Sequence, residues 1–429
     1  MSPLHLHTVL ESLSNARAQQ FSVDFKGLAL ASHFQPIYSV SHSRVVGHEA
    51  LLRAHDAEGH AVPPTEVFQR CEEDGDADWC DTLSRGLHVH NFVAQEHDDN
   101  WLFLNIRPEA LLDMTQDDTG AHLVSVLAKL DLPFNSVVLE LLESEIPSGQ
   151  AFLDAVEKAR ARGVLIALDD FGAGHSNFDR VWSIRPDIVK LDRSLVTGMA
   201  GDVERQRVVS QMVSLLHECN ALVLMEGIET EEEALLALEA DVDFVQGFYF
   251  CRPQPELRTN ANEPKLKALH GKLARFRQEQ RRHQKDLIAP YQNAVGYATI
   301  LLSAGRTHDD AFSGFMTLPG TDLCYVLDEN GFQVGNNVWS AQGLIHSGIG
   351  FGPMSRSEGA CWARRPYFKR ALQNPGKVQV TRPYRSLNGT GMTVTVSCAY
   401  LVKTGNQSHW YVACGDLSWD NGPLIKSIA

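Results

Sequence analysis

The sequence predicts an α/β protein: a TIM-like (β/α)8 barrel with one antiparallel strand, followed by a helical linker and a smaller α+β domain. Apolar runs of strand length recur up to Phe250, each with an acid, an amide or a lysine at or near its end. The polar residues that mark successive runs are 20 to 56 positions apart, which leaves room for a strand, a helix and two loops. That spacing is the repeat of a parallel barrel.

The stretch from Gly163 to Ser194 illustrates the pattern. The run VLIAL leads into Asp169 and Asp170, and the run DIV leads into Lys190. Such a run, bounded by glycine and polar residues, is typical of a strand buried on both faces. Adjacent carboxylates at the end of a buried strand repel each other and are costly to desolvate, and a divalent cation between them relieves both costs. A solvated turn is the alternative for the pair alone.

Five further apolar segments carry residues that can bind a metal or polarise a phosphate. These residues are Glu49, Asn105, Glu140 with Glu143, Glu226 with Glu229, and Gln246. In a parallel barrel the reactive side chains collect at the carboxyl ends of the strands, so these residues should converge. Hard oxygen ligands without cysteine or histidine suit Mg²⁺ or Mn²⁺ rather than zinc. Each residue alone could be a salt-bridged rim residue, but jointly they favour a metal site.

The start of the chain departs from a regular barrel. Residues 1–24 are predicted to form an N-terminal helix, since the apolar side chains over 6–13 have helical spacing. The barrel is assigned to residues 25–262. Its first strands, over 34–39 and 44–53, are separated by only four residues. A connection that short cannot cross over to a parallel neighbour, so these two strands should be antiparallel.

The linker, residues 263–290, is a basic helix. Its four apolar positions Leu266, Leu269, Leu273 and Phe276 have a three-four-three spacing, a heptad seam about two heptads long. That seam is too short for a stable coiled coil, so the helix is either a connector packed on a domain or a two-chain dimer stalk. A solvated face explains its arginines and lysines better than a phosphate-binding patch.

Residues 291–429 form a different unit. CYVLDENGFQVGNN predicts two strands around an Asn-Gly turn, and KVQVTRPYRS, GMTVTVSCAYLVK and HWYVACGDL predict three more. RPYFKRAL is a short helix before the last three strands. About five antiparallel strands with flanking helices make an α+β domain of the size of a sensor domain.

Composition excludes several classes of protein. The 429 residues carry a net charge of −15, which argues against a nucleic-acid polymer as partner. No apolar run approaches the ~18 residues of a membrane span, and the first residues lack a secretory signal, so a cytoplasmic protein is expected. The eight cysteines contain no CxxC pair, which argues against a zinc module or a disulfide framework.

Seven motifs occur in a fixed order. They are Glu49-Ala-Leu51 with Leu52-Arg53, FLNIRP with Asn105, LELLES, DDFGAGHS, VKLD, EGIET and QGFYFCRP. In order and spacing they resemble the motifs of the EAL family of cyclic-di-GMP phosphodiesterases, over about residues 25–256. The resemblance implies a barrel that hydrolyses cyclic di-GMP to linear pGpG with Mg²⁺ or Mn²⁺.

The resemblance also implies roles for individual residues. Two metal ions per active site would be held by Glu49, Asn105, Glu140, Asp169, Asp170 and Glu226. Lys190 would lie beside the attacking water and, with Glu49 and Glu226, make the catalytic set. The supporting residues would be Glu143, Glu229 and Gln246. The substrate-contact positions would be Gln35, Leu52 and Arg53.

The sequence departs from the family at three positions. Leu142 stands where threonine is frequent, and His175 and Asn177 stand where an aromatic residue or serine is frequent, in a loop associated with dimer coupling. The C-terminal unit is similar to Cache and PAS-like sensor domains through YVLDENGFQ, RRPYF and RPYRS. This second resemblance implies regulation of the barrel through an unidentified small ligand, or through dimerisation. The loop and the heptad seam together predict a homodimer.

Three functions fit these observations. The leading one is a cyclic-di-GMP phosphodiesterase regulated by its C-terminal domain. The alternative is a receptor that binds cyclic di-GMP without hydrolysis and signals through the C-terminal domain. Such a receptor would be expected to lack some of the metal-binding residues, and in this sequence the set is complete. A barrel enzyme for another phosphodiester is the third.

Overall fold

The computed structural model describes residues 14–17, 20–95, 99–114, 122–174, 178–258, 263–341, 356–386 and 392–419. They form two compact units that divide between Arg275 and Phe276. Among the described residues, no helix combines the length and the apolar character that crossing a membrane requires.

The first unit is built on an eleven-stranded sheet. Its strands are β1 (Ser14–Arg17), β2 (Gln20–Phe25), β3 (Leu28–Ser39), β4 (Arg44–His55), β5 (Ala61–Val62), β6 (Trp101–Asn105), β7 (Val137–Leu142), β8 (Leu165–Phe171), β9 (Ile188–Leu191), β10 (Leu222–Met225) and β11 (Phe244–Val245). Because β3 pairs with both β4 and β11, eight strands close into a barrel in the order β3, β4, β6, β7, β8, β9, β10, β11. Strand β3 is antiparallel to both neighbours and the other pairs are parallel. The predicted barrel with one antiparallel strand is confirmed.

Helices connect the parallel strands. They are α1 (Pro64–Glu73), α2 (Ala77–Val93), α3 (Pro108–Met114), α4 (His122–Lys129), α5 (Gln150–Ala161), α6 (Phe178–Ile184), α7 (Arg193–Thr197), α8 (Val203–Glu218) and α9 (Glu231–Glu239). Local sequence explains their starts. Proline occupies the first turn of α1, where a missing N–H costs nothing. Thr230 and Glu233 form a capping box that satisfies backbone N–H groups at the start of α9.

The predicted N-terminal helix over residues 1–24 is wrong where the structure describes this segment, because β1 and β2 lie there. Residues 1–13, on which the helical spacing rests, are outside the described residues. In β2 the side chains of Val23 and Phe25 are buried and that of Asp24 is exposed, which is the period of two of a strand. A two-residue turn with positive φ values then joins β2 to β3 as a hairpin.

An apolar layer fills the inside of the barrel. Its buried members, one from each of seven barrel strands, are Ile37, Phe103, Val138, Ala167, Ile188, Leu224 and Phe244. The larger core of this unit contains the neighbouring positions of the same strands together with helix residues, so it lies between the barrel and the helices. The eighth strand contributes Gly47. A Cβ atom there would lie 2.7 Å from Phe103 Cε2, so the glycine makes room for the phenylalanine ring.

A single helix, α10 (Pro264–Ser303), contains the predicted linker. Leu266, Leu269 and Leu273 of the heptad seam are buried in the core of the first unit. Three of the four seam side chains are thus packed on a domain, and a role as a two-chain dimer stalk stays a prediction. The helix continues past the predicted end at residue 290, although Pro290 cannot donate a backbone hydrogen bond.

The second unit is an antiparallel sheet with helices. Its elements after α10 are α11 (His308–Met316), β12 (Thr321–Asp328), β13 (Gln333–Trp339), α12 (Pro366–Gln373), β14 (Gln379–Val380), β15 (Tyr384–Arg385), β16 (Met392–Thr404) and β17 (Gln407–Ser418). The strand order is β13-β12-β17-β16-β14, and β15 also pairs with β16. Two apolar clusters are built on this sheet. The smaller C-terminal sheet domain is confirmed, while its Cache or PAS-like character stays a prediction.

Candidate active site

A polar layer lies next to the apolar layer inside the barrel. On each parallel strand, the residue two positions after the apolar-layer residue points to the same side of the sheet, because side chains alternate. Those residues are Glu49, Asn105, Glu140, Asp169, Lys190, Glu226 and Gln246. On β3, which runs the other way, the corresponding residue lies two positions earlier and is Gln35, directly across from Glu49. The fold thus brings eight of the predicted residues to one end of the barrel.

Asp170 joins this layer through a local distortion of β8. Consecutive strand residues point to opposite faces, so Asp169 and Asp170 could not both face the site in a regular strand. Asp170 has a φ of 56°, a left-handed conformation that aspartate tolerates better than most residues, and the register between β8 and β9 shifts at this point. As a result, the ligand oxygens of Asp169, Asp170 and Glu226 lie within 4.8 Å of one another.

Lys190 lies at the centre of the carboxylates. Its Nζ atom is 2.6 Å from Glu140 Oε1, 2.6 Å from Glu226 Oε1, 3.0 Å from Asp169 Oδ1 and 3.7 Å from Glu49 Oε1. The side chain is only 1% exposed. A compact cation with a flexible stem can contact several carboxylates at once, which the planar guanidinium of arginine does less well.

The charges of the site are strongly perturbed. Burial raises the pKa values of Glu140 and Glu226 well above the ordinary value, and Lys190 only partly opposes this. Burial followed by the Asp169 charge raises the pKa of Asp170. For Lys190, burial would lower the pKa, but the surrounding carboxylates together raise it well above the ordinary value, so the ammonium stays protonated.

The donor atoms fit divalent cations. Both Glu140 carboxylate oxygens, Glu226 Oε1 and Gln246 Oε1 are buried without a hydrogen-bond partner among the described residues. The two glutamates do contact Lys190, but outside hydrogen-bond geometry. Buried carboxylate oxygens that lack donors are costly, and a hard cation satisfies them. The donor set is therefore chemically suited to Mg²⁺ or Mn²⁺.

The predicted supporting residues divide into two kinds. Gln246 Nε2 donates a 2.7 Å hydrogen bond to Glu49 Oε2 and so fixes that carboxylate. Glu143 is buried, and its Oε1 lies 3.6 Å from Arg180 Nη1. Glu229 forms a 2.8 Å ion pair with Arg193. Glu143 and Glu229 thus hold the loops that follow their strands.

The substrate-contact positions need one correction. Arg53 lies on the same face of β4 as Glu49, where its Nη1 donates to the Leu52 carbonyl at 2.7 Å. Leu52 is 5% exposed, on the opposite face, in the core between barrel and helices. The structure therefore contradicts Leu52 as a residue that faces the site, and by a strand's period of two Leu51 is the leucine on the face of Glu49 and Arg53. Counting positions from Glu49 in steps of two would have found it.

The three positions at which the sequence departs from the family contribute little to the geometry of the site. Leu142 lies across from Asp169 in the register of β7 and β8. His175 and Asn177, in the loop expected to couple a dimer, lie outside the described residues.

Comparisons with known proteins find relatives over about half of this chain. The chain is 28% identical to cyclic di-GMP phosphodiesterase RocR of Pseudomonas aeruginosa over 228 residues, 52% of this chain and 57% of RocR. It is 26% identical to the probable cyclic di-GMP phosphodiesterase PdeN of Escherichia coli over 230 residues, 52% of this chain and 43% of PdeN. The chain thus spans about half the length of these curated relatives.

A solved structure and a family model extend the comparison. The crystal structure of the Bacillus subtilis YkuI protein, with an EAL domain, in complex with c-di-GMP and calcium, matches with a TM-score of 0.73 and 19% identity, over 97% of this chain and 99% of that chain. At this identity the likeness concerns the fold. The family model for the EAL domain matches residues 18–253, more than half of the chain. The chain belongs to the EAL domain family.

Proposed function

We propose that this protein is a metal-dependent phosphodiesterase that hydrolyses cyclic di-GMP to linear pGpG. The observation that carries the proposal is the polar layer, in which four carboxylates surround Lys190 at the carboxyl ends of the barrel strands. Membership of the EAL family and the names of the curated relatives supply the substrate class.

The residues that would hold two Mg²⁺ or Mn²⁺ ions are Glu49, Asn105, Glu140, Asp169, Asp170 and Glu226. Bound ions of this kind lower the pKa of a water and stabilise the oxygens of an in-line displacement at phosphorus. Asn105 is the last residue of β6 and lies at the exposed rim, across from Glu140 in the strand register. An amide oxygen there adds a ligand without adding negative charge.

Each of the remaining residues has a task that follows from its charge and position. Protonated Lys190 would orient the attacking water or stabilise charge that develops on the phosphoryl oxygens. Gln246 holds the Glu49 carboxylate in one orientation. Arg53 would bind a phosphate oxygen of the substrate, and Gln35 and Leu51 on the same side of the sheet would contact the rest of it.

We infer further that the second unit is a Cache or PAS-like sensor domain that regulates the barrel, and that the protein acts as a cytoplasmic homodimer. The resemblance of its sequence motifs supports the sensor. All eight cysteines are free thiols, which fits a reducing compartment. The dimer is supported by the resemblance to a family in which the loop after the Asp169-Asp170 pair is associated with dimer coupling.

The test is a turnover assay on the full chain. Cyclic di-GMP is incubated with the protein and Mg²⁺ or Mn²⁺, and pGpG is separated by chromatography. Glu49→Gln should reduce the rate at least about 10²-fold because an essential ligand charge is lost, while Glu232→Gln, an exposed position on α9, should leave it unchanged. Tight nucleotide binding without product would favour a receptor, and comparable hydrolysis of bis-p-nitrophenyl phosphate would favour another phosphodiester.

A further inference from the structure

Four aromatic side chains and one guanidinium form a closed ring in the second unit. The ring centroid of Tyr325 lies 6.3 Å from that of Trp362 and 6.4 Å from that of Tyr367, and Tyr367 lies 6.5 Å from Tyr384. Arg365 Cζ completes the ring at 5.9 Å from the Trp362 centroid and 5.7 Å from the Tyr384 centroid. These residues come from β12, β15, α12 and the segment just before α12.

A buried carboxylate belongs to the same cluster. Asp416 on β17 is 3% exposed, and its Oδ1 accepts a 2.7 Å hydrogen bond from the Thr395 hydroxyl. Because this bond uses the only hydroxyl hydrogen of Thr395, the Tyr384 hydroxyl must be the donor in its 2.7 Å bond to Thr395. Strand pairing sets Leu323 across from Asp416 and Tyr325 across from Cys414, so the Asp416 side chain lies on the same face of the sheet as that of Tyr325.

Arg365 carries the opposite charge and does not neutralise Asp416 directly. Its Nε is buried without a hydrogen-bond partner, and the guanidinium forms no ion pair with any residue in the described part of the chain. A charged donor of this kind without an acceptor is costly. A carboxylate supplied by a ligand would satisfy it.

The ring is held in place by polar contacts behind it. Trp362 Nε1 donates a 3.1 Å hydrogen bond to Gln333 Oε1, and Gln333 Nε2 donates to Asn337 and to Ser357 at 2.8 and 3.0 Å. The indole therefore has a fixed orientation. Asn337 Nδ2 is itself buried without a partner among the described residues. An indole of fixed orientation next to the unpartnered Arg365 Nε combines the apolar and polar groups by which proteins hold small molecules.

We propose that this ring binds a small zwitterion of the free α-amino acid class. The ammonium group of the ligand lies against Asp416 and the aromatic faces, where ring quadrupoles attract a cation. Its carboxylate pairs with Arg365, whose planar donors match carboxylate oxygens. The aromatic rings leave an apolar environment for the side chain. The binding site is independent of the phosphodiesterase activity proposed for the barrel, so each can fail without the other.

The experiment uses the full chain and each standard L-amino acid at millimolar concentration. Thermal unfolding identifies the amino acids that stabilise the protein, and isothermal titration calorimetry measures their affinity. At least one should bind, and Asp416→Asn and Arg365→Lys should each weaken it at least about tenfold. Asp416→Asn keeps the acceptor for Thr395 and should fold. Arg364→Lys, an exposed neighbour, is the matched control and should bind as the wild type does.

Two analogues of the amino acid that binds test the roles of its carboxylate and its ammonium group separately. The primary amine without the carboxylate should bind more weakly and should no longer respond to Arg365→Lys. The carboxylic acid without the ammonium should no longer respond to Asp416→Asn. The proposal is overturned if no amino acid binds, if Asp416→Asn binds as well as the wild type, or if the amine alone binds as tightly as the amino acid, which would mark a simple amine site.

Discussion

Replacing Lys190 with methionine tests the organisation of the polar layer most directly. The substitution keeps the length and the apolar stem of the side chain and removes its charge. Four carboxylates within 3.7 Å of the ammonium then lose their common partner in a site where the lysine is 1% exposed. Loss of one partner of a buried ion pair costs about 3–5 kcal/mol, because the remaining charge stays buried and unpaired.

We therefore expect Lys190→Met to lower the free energy of unfolding of the first unit by about 3–5 kcal/mol in EDTA. Urea unfolding followed by far-ultraviolet circular dichroism measures it. Saturating Mn²⁺ should reduce the deficit, because carboxylates freed from the ammonium should bind the cation more tightly, and each tenfold lower Kd adds about 1.4 kcal/mol to the stability of the variant. Turnover of cyclic di-GMP in Mn²⁺ should still fall about 10²–10³-fold, as when one preorganised charge-stabilising donor is lost.

Lys272→Met is the matched control, because Lys272 pairs with Glu231 where both side chains are more than 40% exposed. Exposed pairs contribute at most about 1 kcal/mol, so this variant should unfold almost as the wild type does. The reasoning is refuted if Lys190→Met is as stable as Lys272→Met in EDTA. It is also refuted if Mn²⁺ stabilises the wild type but leaves the Lys190 deficit unchanged.

Three further predictions address the apolar layer, the two faces of β4 and the second unit. Gly47→Ala should lower the melting temperature through an overpacking cost of about 1–3 kcal/mol, whereas Gly271→Ala, with open space around it, should not. Leu51→Ala should raise the KM for cyclic di-GMP with little loss of stability, and Leu52→Ala should cost about 2–5 kcal/mol in urea unfolding; the reverse pattern would contradict the assignment of faces. Burial raises the pKa of Asp416 from 3.8 to about 7, so in this range the folded state holds a proton that the unfolded chain releases. Stability should fall as the pH rises from about 4 to 7, by up to ~4 kcal/mol, and Asp416→Asn should remove that slope.

Much of the barrel could be predicted because apolar runs of strand length recur at intervals that leave room for a helix and two loops. A polar residue at the end of each apolar run marks the carboxyl end of a strand, and the four-residue connection after Ser39 requires an antiparallel pair. The site residues could be predicted for the same reason, since parallel strands present equivalent ends to one rim. Lys190 is part of this pattern. The number of carboxylates that it contacts depends on interatomic distances in the folded protein, which the spacing of residues along the sequence does not give.

The failures have physical causes of their own. The motif places Leu52 among the substrate contacts, whereas the face of a strand residue is set by alternation from Glu49. The predicted helix over residues 1–24 extends the short apolar pattern of residues 6–13 into a segment where Val23, Asp24 and Phe25 alternate as in a strand. The left-handed φ of Asp170 depends on the register shift between two strands, which is a tertiary property.

The apolar layer and the polar layer occupy consecutive inward-facing positions of the same strands. The packing that stabilises the barrel therefore also sets the environment of the carboxylates. Phe103 fills the space that Gly47 leaves, so the apolar layer closes the barrel directly beneath the carboxylates. Water is excluded from below, and the effective dielectric constant around the acids is lowered. The same exclusion makes the carboxylates costly without Lys190 and strengthens their interaction with any cation. A substitution that opens the apolar layer should therefore weaken metal binding as well as the fold, even though it touches no ligand.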